Sequence, residues 1–305
     1  MINPARQTRP ALVPAADGMP TPVEPAAAAS PAQPGWRAEL ELGFGRRSGR
    51  TVLTRRRHEG PLLVQRPFYP EGPAVAHCYV LHPPGGIVGG DSLDVRISVD
   101  AGAHGLITMP AATKSYASKG AVADLTNTLH VAPGAWLEWL PAETIAFDGT
   151  RFRQETAVHL HGDAGFMGWD ILCLGRPAAG ETFTQGWVRQ GLSILVDGAL
   201  ALRERGLMEG GGTLLRDRCG WGGWPVSALL VARWPDAGVL ELVREALGPC
   251  GDAGLRAVTH VHGFVVVRFL GREAMAGRQC LERAWASLRP VLRGLPAEPP
   301  GAWRT

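Results

Sequence analysis

Breakers constrain this chain more than any other feature. Forty glycines and 25 prolines stand among 305 residues. At about one residue in five, that load does not permit an architecture made mainly of long helices. What lies between the breakers is short and apolar. Ala38-Glu39-Leu40-Glu41-Leu42 alternates with period two, the signature of a half-buried strand. Similar runs recur at residues 51–53, 62–65, 75–81, 93–99, 106–109, 125–131, 135–140, 156–160, 171–174, 193–196 and 226–231, with Gly, Pro or Asp in most of the gaps. Helical patterns do not alternate with them, so a βαβ sheet is disfavoured. The expectation is a mainly β protein of layered short strands: a sandwich, a barrel or a β-helix.

Helices are expected late. Residues 237–247 fit a short one, stopped by Gly248-Pro249. Residues 261–270 read as one more strand. Residues 272–289 fit the clearest helix, with Leu281, Ala284, Trp285 and Leu288 on one face and Pro290 ending it. The glycine-rich stretch 205–224 reads as a long mobile loop, functional or disordered. No internal repeat of fixed period is evident. Residues 1–35 hold 8 Pro and 9 Ala. Such a segment cannot bury enough apolar surface to offset its ordering entropy, so a disordered extension is expected ahead of a domain spanning 36–305.

Several function classes are excluded or weakened. Net charge is only +3, against a dominant nucleic-acid surface. Five scattered cysteines form no C-x-x-C pair, which favours a reducing compartment over a disulfide framework or zinc ribbon. No apolar run is long enough to span a membrane, and no signal peptide is visible, so a cytoplasmic protein is expected. Gly43-Phe44-Gly45-Arg46-Arg47-Ser48-Gly49 misplaces the third glycine of a dinucleotide fingerprint. Gly85-Gly86-Ile87-Val88-Gly89-Gly90-Asp91 has P-loop spacing, but a carboxylate stands where phosphate needs a lysine. G-x-S-x-G is absent, removing support for a serine hydrolase of that type. Six arginines between Arg46 and Arg57 read as a solvated strand edge or a protein-contact face. The pairs His159/His161 and His260/His262 can each turn two imidazoles to one side of a strand, but no third ligand is evident.

Four dense stretches carry more information. The first is His82-Pro83-Pro84-Gly85-Gly86-Ile87-Val88-Gly89-Gly90-Asp91, where Asp91 suits a turn cap or a cation neighbour. The second is Ala112-Thr113-Lys114-Ser115-Tyr116. The third runs from Leu137-Glu138-Trp139-Leu140 through Glu143 and Ile145 to Asp148, with two carboxylates flanking an apolar strand. In the fourth, Leu174-Gly175-Arg176 to Gly180-Glu181, Arg176 and Glu181 can pair across a turn.

In this order, with Phe68-Tyr69-Pro70-Glu71 before them and Trp303-Arg304-Thr305 at the end, the stretches resemble the UreD (UreH) family of urease accessory proteins over residues 36–305. Ala142 replaces a usual Gln, and Pro300-Gly301-Ala302 replaces a usual Pro-Arg-Ile. The resemblance implies a β-helix-like fold with a few helices. It implies a non-enzymatic chaperone that joins UreF and the GTPase UreG, docks on apo-urease in a hetero-oligomer and helps place nickel, with no tightly bound cofactor. The missing P-loop agrees, since a partner must then hydrolyse GTP. Weak oxygen ligands suit transient carriage of Ni²⁺. Asp91, Thr113, Glu143, Asp148 and Glu181 are the candidate residues of a nickel passage, with Tyr116 and Arg176 as supports. Trp285 and Trp303 are the candidate partner contacts. The alternative is a pure interaction scaffold that never carries nickel. A carboxylate-dependent hydrolase on a β-helix rests on carboxylate pairs alone.

Overall fold

A computed structural model describes residues 35–304. The expected disorder at 1–35 falls outside these residues, Gly35 excepted. The strands are β1 (Arg37–Arg47), β2 (Arg50–Glu59), β3 (Leu63–Val64), β4 (Val75–Leu81), β5 (Ser92–Val99), β6 (His104–Thr108), β7 (Thr113–Ser115), β8 (Ala123–Val131), β9 (Trp136–Leu140), β10 (Thr144–Ala146), β11 (Arg151–Leu160), β12 (Gly165–Leu174), β13 (Trp187–Val196), β14 (Ala199–Glu209), β15 (Val226–Arg233), β16 (Gly254–Val261) and β17 (Phe264–Gly271). The helices are α1 (Thr213–Arg216), α2 (Leu240–Leu247) and α3 (Ala274–Arg293).

The chain winds as a β-solenoid-like stack of about four turns, in agreement with the expected fold. β1, β5, β8, β11 and β13 lie parallel in one sheet, with β2 and β14 antiparallel at its edges. β4, β6, β9 and β12 lie parallel in the second sheet, which β15, β17 and β16 extend antiparallel. β7 and β10 form a short third face beside β12. Strands of the other sheet, not helices, make the parallel crossovers.

Period-two patterning explains the interior. Leu42, Ile97, Leu129, Val158 and Ile194 are register partners in five successive parallel strands. Each is at most 1% exposed. Burying each such side chain stabilises the stack by roughly 1.5–3 kcal/mol. The corners repeat as well: Ala103, Ala135 and Ala164 each donate a backbone hydrogen bond three residues back and enter the core. Gly102, Gly134 and Gly162 supply the left-handed backbone there, at φ 70°, 68° and 53°.

Three sequence expectations need correction. Residues 261–270 hold a hairpin turn at His262-Gly263, which divides β16 from β17. The stretch 205–224 contains the end of β14, the whole of α1 and a hydrogen-bonded turn around Asp217. β14 escaped notice because it is an edge strand, charged along much of its length. Helix α3 also runs through Pro290 to Arg293. A proline costs one N–H and a clash with the preceding turn, but here only the last turn is affected. Burial of Arg289 and Leu292, and a left-handed cap at Gly294 that donates to the Pro290 carbonyl at 2.8 Å, hold the end in place.

Helix α3 covers the outer face of the second sheet with the stripe Leu281, Ala284, Trp285 and Leu288. A fully buried charge network fastens it. The Arg289 guanidinium donates to Glu138 on β9 at 3.0 and 3.2 Å, and to Glu71 at 2.8 Å and by a second, shorter contact. Glu138 also accepts from Trp285 Nε1 at 2.5 Å and from His104 Nε2 at 2.8 Å. His77 Nε2 meets Glu71 at 2.6 Å, and Arg289 also reaches the Pro296 carbonyl. Burial alone would raise the Glu138 carboxyl; the His104 hydrogen bond, the Arg289 charge and the Trp285 hydrogen bond outweigh it and bring it down to about 2. Burial pushes His104 the other way, below its ordinary value, so the neutral ring donates.

Removing one member of a buried ion pair strands its partner. Arg289→Met is expected to cost about 3–5 kcal/mol, read as a lower urea midpoint. Because Glu138 is depressed in the folded state, its contribution is complete above pH 4.5 and is lost as pH falls toward 2. Urea titrations over that range should show stability falling with pH, and a Glu138→Gln variant should show a shallower fall.

Candidate functional site

The last turns of the solenoid do not close. A cleft of about 640 Å³ lies between β13–β14 on one side and β12, β15, β17 and β16 on the other. Thr156, Asp170 and Gln190 line it, and Glu204 pairs with Arg268 on its wall. Leu255, 64% exposed, also lines it.

Beneath the cleft the apolar interior gives way to a band of oxygen and amide groups. The Gln154 amide donates to Asp170 Oδ2 at 2.6 Å, and Thr144 Oγ1 lies 3.3 Å from Gln154 Oε1. Asn127 donates to Thr156 Oγ1 at 3.1 Å, and Ser115 and Thr150 share a hydrogen bond of 2.6 Å. Gln154 and Thr156 occupy inward positions of β11 that its neighbouring strands fill with Leu125, Asn127, Gln190 and Leu192. Period-two alternation therefore puts polar groups inside for the same reason that it puts Val158 and Leu160 there. Burial raises the Asp170 carboxyl to about 7, although a backbone hydrogen bond at Ile171 partly opposes it. Such a group exchanges a proton near neutral pH, and when charged it offers one weak, hard ligand to a cation.

The sequence-chosen residues are dispersed. Asp91 accepts from Trp36 N–H and Val88 N–H, both at 2.8 Å, and thereby ties a turn. Glycine is needed here because a Cβ at Gly86 would lie 2.3 Å from the Tyr116 ring. The turn in fact pairs with the Tyr116 segment through Ile87 N–H to Lys114 O at 2.7 Å. Thr113 and Glu143 are joined by a backbone hydrogen bond of 2.9 Å on the third face, where Thr113 is in register with Thr144. The Glu143 carboxylate lies 3.6 Å from Arg278. Asp148 accepts from Thr184 N–H at 2.6 Å, Thr184 Oγ1 at 2.9 Å and Gln185 N–H at 2.8 Å. Partial burial would raise it, but these bonds hold it below its ordinary value. Glu181 accepts the forked Arg176 guanidinium at 3.0 and 2.5 Å, the cross-turn pair expected from sequence, and that hydrogen bonding lowers it. The Asp148 amide donates to Glu181 at 3.1 Å, which joins the two turns.

Thr113 and Glu143 thus adjoin the polar band through Thr144, whereas Asp91, Asp148 and Glu181 secure turns. Among the described residues no three His, Cys, Asp or Glu side chains converge to hold a metal ion. His159 stacks on His130 with ring centroids 4.5 Å apart. His260 bonds the Trp234 carbonyl at 2.9 Å, and His262 sits in the hairpin turn, so that pair does not share a strand face. Trp285 is 1% exposed and packed inward. Trp303 donates to Thr108 Oγ1 at 2.9 Å and packs on Trp169 and Trp285 with centroids 5.1 and 5.3 Å away. Sequence reading missed Asp170, Gln154 and Glu204. The available signal was polar residues at inward positions of β11 and one acid inside an apolar run.

Fold and site together define a β-solenoid-like protein with an end cleft, a buried polar band and a clamped C-terminal helix. No helix among the described residues is long and apolar enough to cross a membrane. The family model for the UreD urease accessory protein matches residues 37–304, and the chain belongs to that family. It is 46% identical over 276 residues to the urease accessory protein UreD of Azoarcus sp. (strain BH72), covering 90% of this chain and 96% of that relative. The UreD proteins of Dechloromonas aromatica (strain RCB) and Pseudomonas entomophila (strain L48) are 43% and 44% identical, over 89% and 90% of this chain and 96% of each relative.

Asp170 yields a pH prediction. Its folded value, about 7, lies above the ordinary 3.8, so its contribution to stability is complete below 3.8 and is lost as pH rises through 7. Asp170→Asn should flatten the stability decline between pH 4 and 8 in urea titrations.

Proposed function

We propose that this chain acts in urease maturation as a non-enzymatic scaffold and nickel-passage protein in the cytoplasm. It joins UreF and UreG, docks on apo-urease, and passes Ni²⁺ transiently without holding a tightly bound cofactor. One observation carries this reading: a band of hydrogen-bonded oxygen groups, buried Thr144 and Gln154 and half-buried Asp170, opens into a cleft at the solenoid end. Scattered oxygen ligands release Ni²⁺ readily, whereas a cage of thiolates and imidazoles would retain it. Asp170 is the principal candidate on the cleft side and Glu143 on the third face. Thr113 stands on the third face beside Thr144 of the band, and Asp91, Asp148 and Glu181 shape the surrounding turns. The docked tail at Trp303, supported from beneath by Trp285, fixes the C-terminal surface on which partner contact depends.

A second reading has its own support. Asp91, Asp148 and Glu181 are all committed to internal hydrogen bonds. In that case the protein only holds its partners together, and nickel travels elsewhere.

Co-expression with a urease operon lacking its own UreD separates the readings. The wild-type chain is expected to restore activity when nickel is added. Asp170→Ala and Glu143→Ala should lower the nickel content of the purified urease while co-purification with the partners persists. Unchanged nickel content in both variants would sink the passage and leave the scaffold. Failure of the wild-type chain to complement would sink both.

A further inference from the structure

Strand β2 is the outermost strand of the seven-stranded sheet, hydrogen-bonded to β1 alone within it. Residues 54–59 are exposed on both faces. Outside the ladder to β1, the backbone between Val52 and Glu59 makes no backbone hydrogen bond among the described residues. The same hairpin concentrates positive charge in Arg46, Arg47, Arg50, Arg55, Arg56 and Arg57. Arg55 is paired with Glu41 at 2.9 Å. Arg47, Arg56 and Arg57 have no acidic partner among the described residues. Arg56 is in register with Leu42 and Arg57 with Glu41, so the unpaired charges flank the free edge on both faces. At the far end, beside Gly60, stands Trp36, 60% exposed.

We propose that β2 is a docking edge for an extended acidic segment of a partner protein, which adds to the sheet as a further strand. The free N–H and C=O groups supply the ladder, and the arginines on both faces select carboxylates on both faces of the incoming strand. Trp36 offers an apolar anchor at one end. Charge excludes the other occupants. A second copy pairing through β2 would set arginine against arginine, which destabilises a cross-strand pair. Residues 1–34 carry two Arg, one Asp and one Glu, with no acidic excess, and their 8 prolines lack the N–H that a ladder requires. A single-stranded RNA would match the charge but would leave the backbone edge unpaired.

Hydrogen exchange on the full chain tests this. The probe is a capped ten-residue peptide of repeating Glu-Glu-Val-Val, which sets carboxylates on both faces of a strand. One control has every Val replaced by Pro, which keeps the charge but removes N–H donors from both edges of the strand; the other is single-stranded polyuridylate. The Glu–Val peptide should slow exchange of the amides at 52–59, and the proline peptide should not. The double variant R56E/R57E should lose the slowing at an unchanged thermal midpoint, since both side chains are exposed. The proposal is overturned if the Glu–Val peptide leaves exchange at 52–59 unaltered, if the proline peptide protects as well, if R56E/R57E retains full protection, or if polyuridylate outcompetes the peptide.

Discussion

The buried guanidinium of Arg289 is the contact on which the arrangement of this molecule depends. It neutralises two carboxylates from distant parts of the chain, Glu71 ahead of β4 and Glu138 in β9, and it reaches the Pro296 carbonyl of the tail. Three segments are thereby fixed relative to one another where Arg289 and Glu138 are fully buried. A buried ion pair adds little net stability over apolar packing, but it tolerates few alternatives. Its value here is positional. It sets α3 against the second sheet, and with it the aromatic cluster of Trp285, Trp303 and Trp169.

The solenoid interior is divided between two kinds of packing. Apolar columns that start at Leu42 and Phe44 run the length of the stack as far as β13. Toward the last turns, Asn127, Gln154, Thr156 and Asp170 replace aliphatic side chains at inward positions, and the two sheets part into the cleft. Polar groups buried this way reduce the hydrophobic contribution and require partners. Their concentration under an opening is the feature on which the proposed carriage of a cation rests.

Much of this was legible in the chain. Alternation in β4, β5, β8 and β9 gave strands with nearly correct bounds, because their inner faces are aliphatic and their ends are marked by Gly, Pro or Asp. Helix α3 was legible from the stripe ending at Leu288, though Pro290 misled about its end, since burial of Leu292 lay outside any local pattern. β14 was not legible, because an edge strand can be charged without cost. The repeated corners at Ala103, Ala135 and Ala164 went unseen because the turns differ in length, so no fixed period survives in the sequence. Among the candidate site residues, the Arg176–Glu181 pair was recognisable from its spacing across a turn. The Asp170 site was not: an acid inside an apolar run signals only an unusual position, and the cleft it faces is built by strands far away in the chain.

By itself the sequence determined the secondary structure type, through its breakers and its period-two runs, and the family, through motifs that keep their order along the chain. Only the tertiary structure decided which carboxylates are committed. Whether Asp91 ties a turn, Glu138 neutralises an arginine or Asp170 sits half-buried and protonatable depends on groups far away in the chain. Electrostatics and desolvation act through space, so residues of the same type receive different roles only once winding brings their neighbours together.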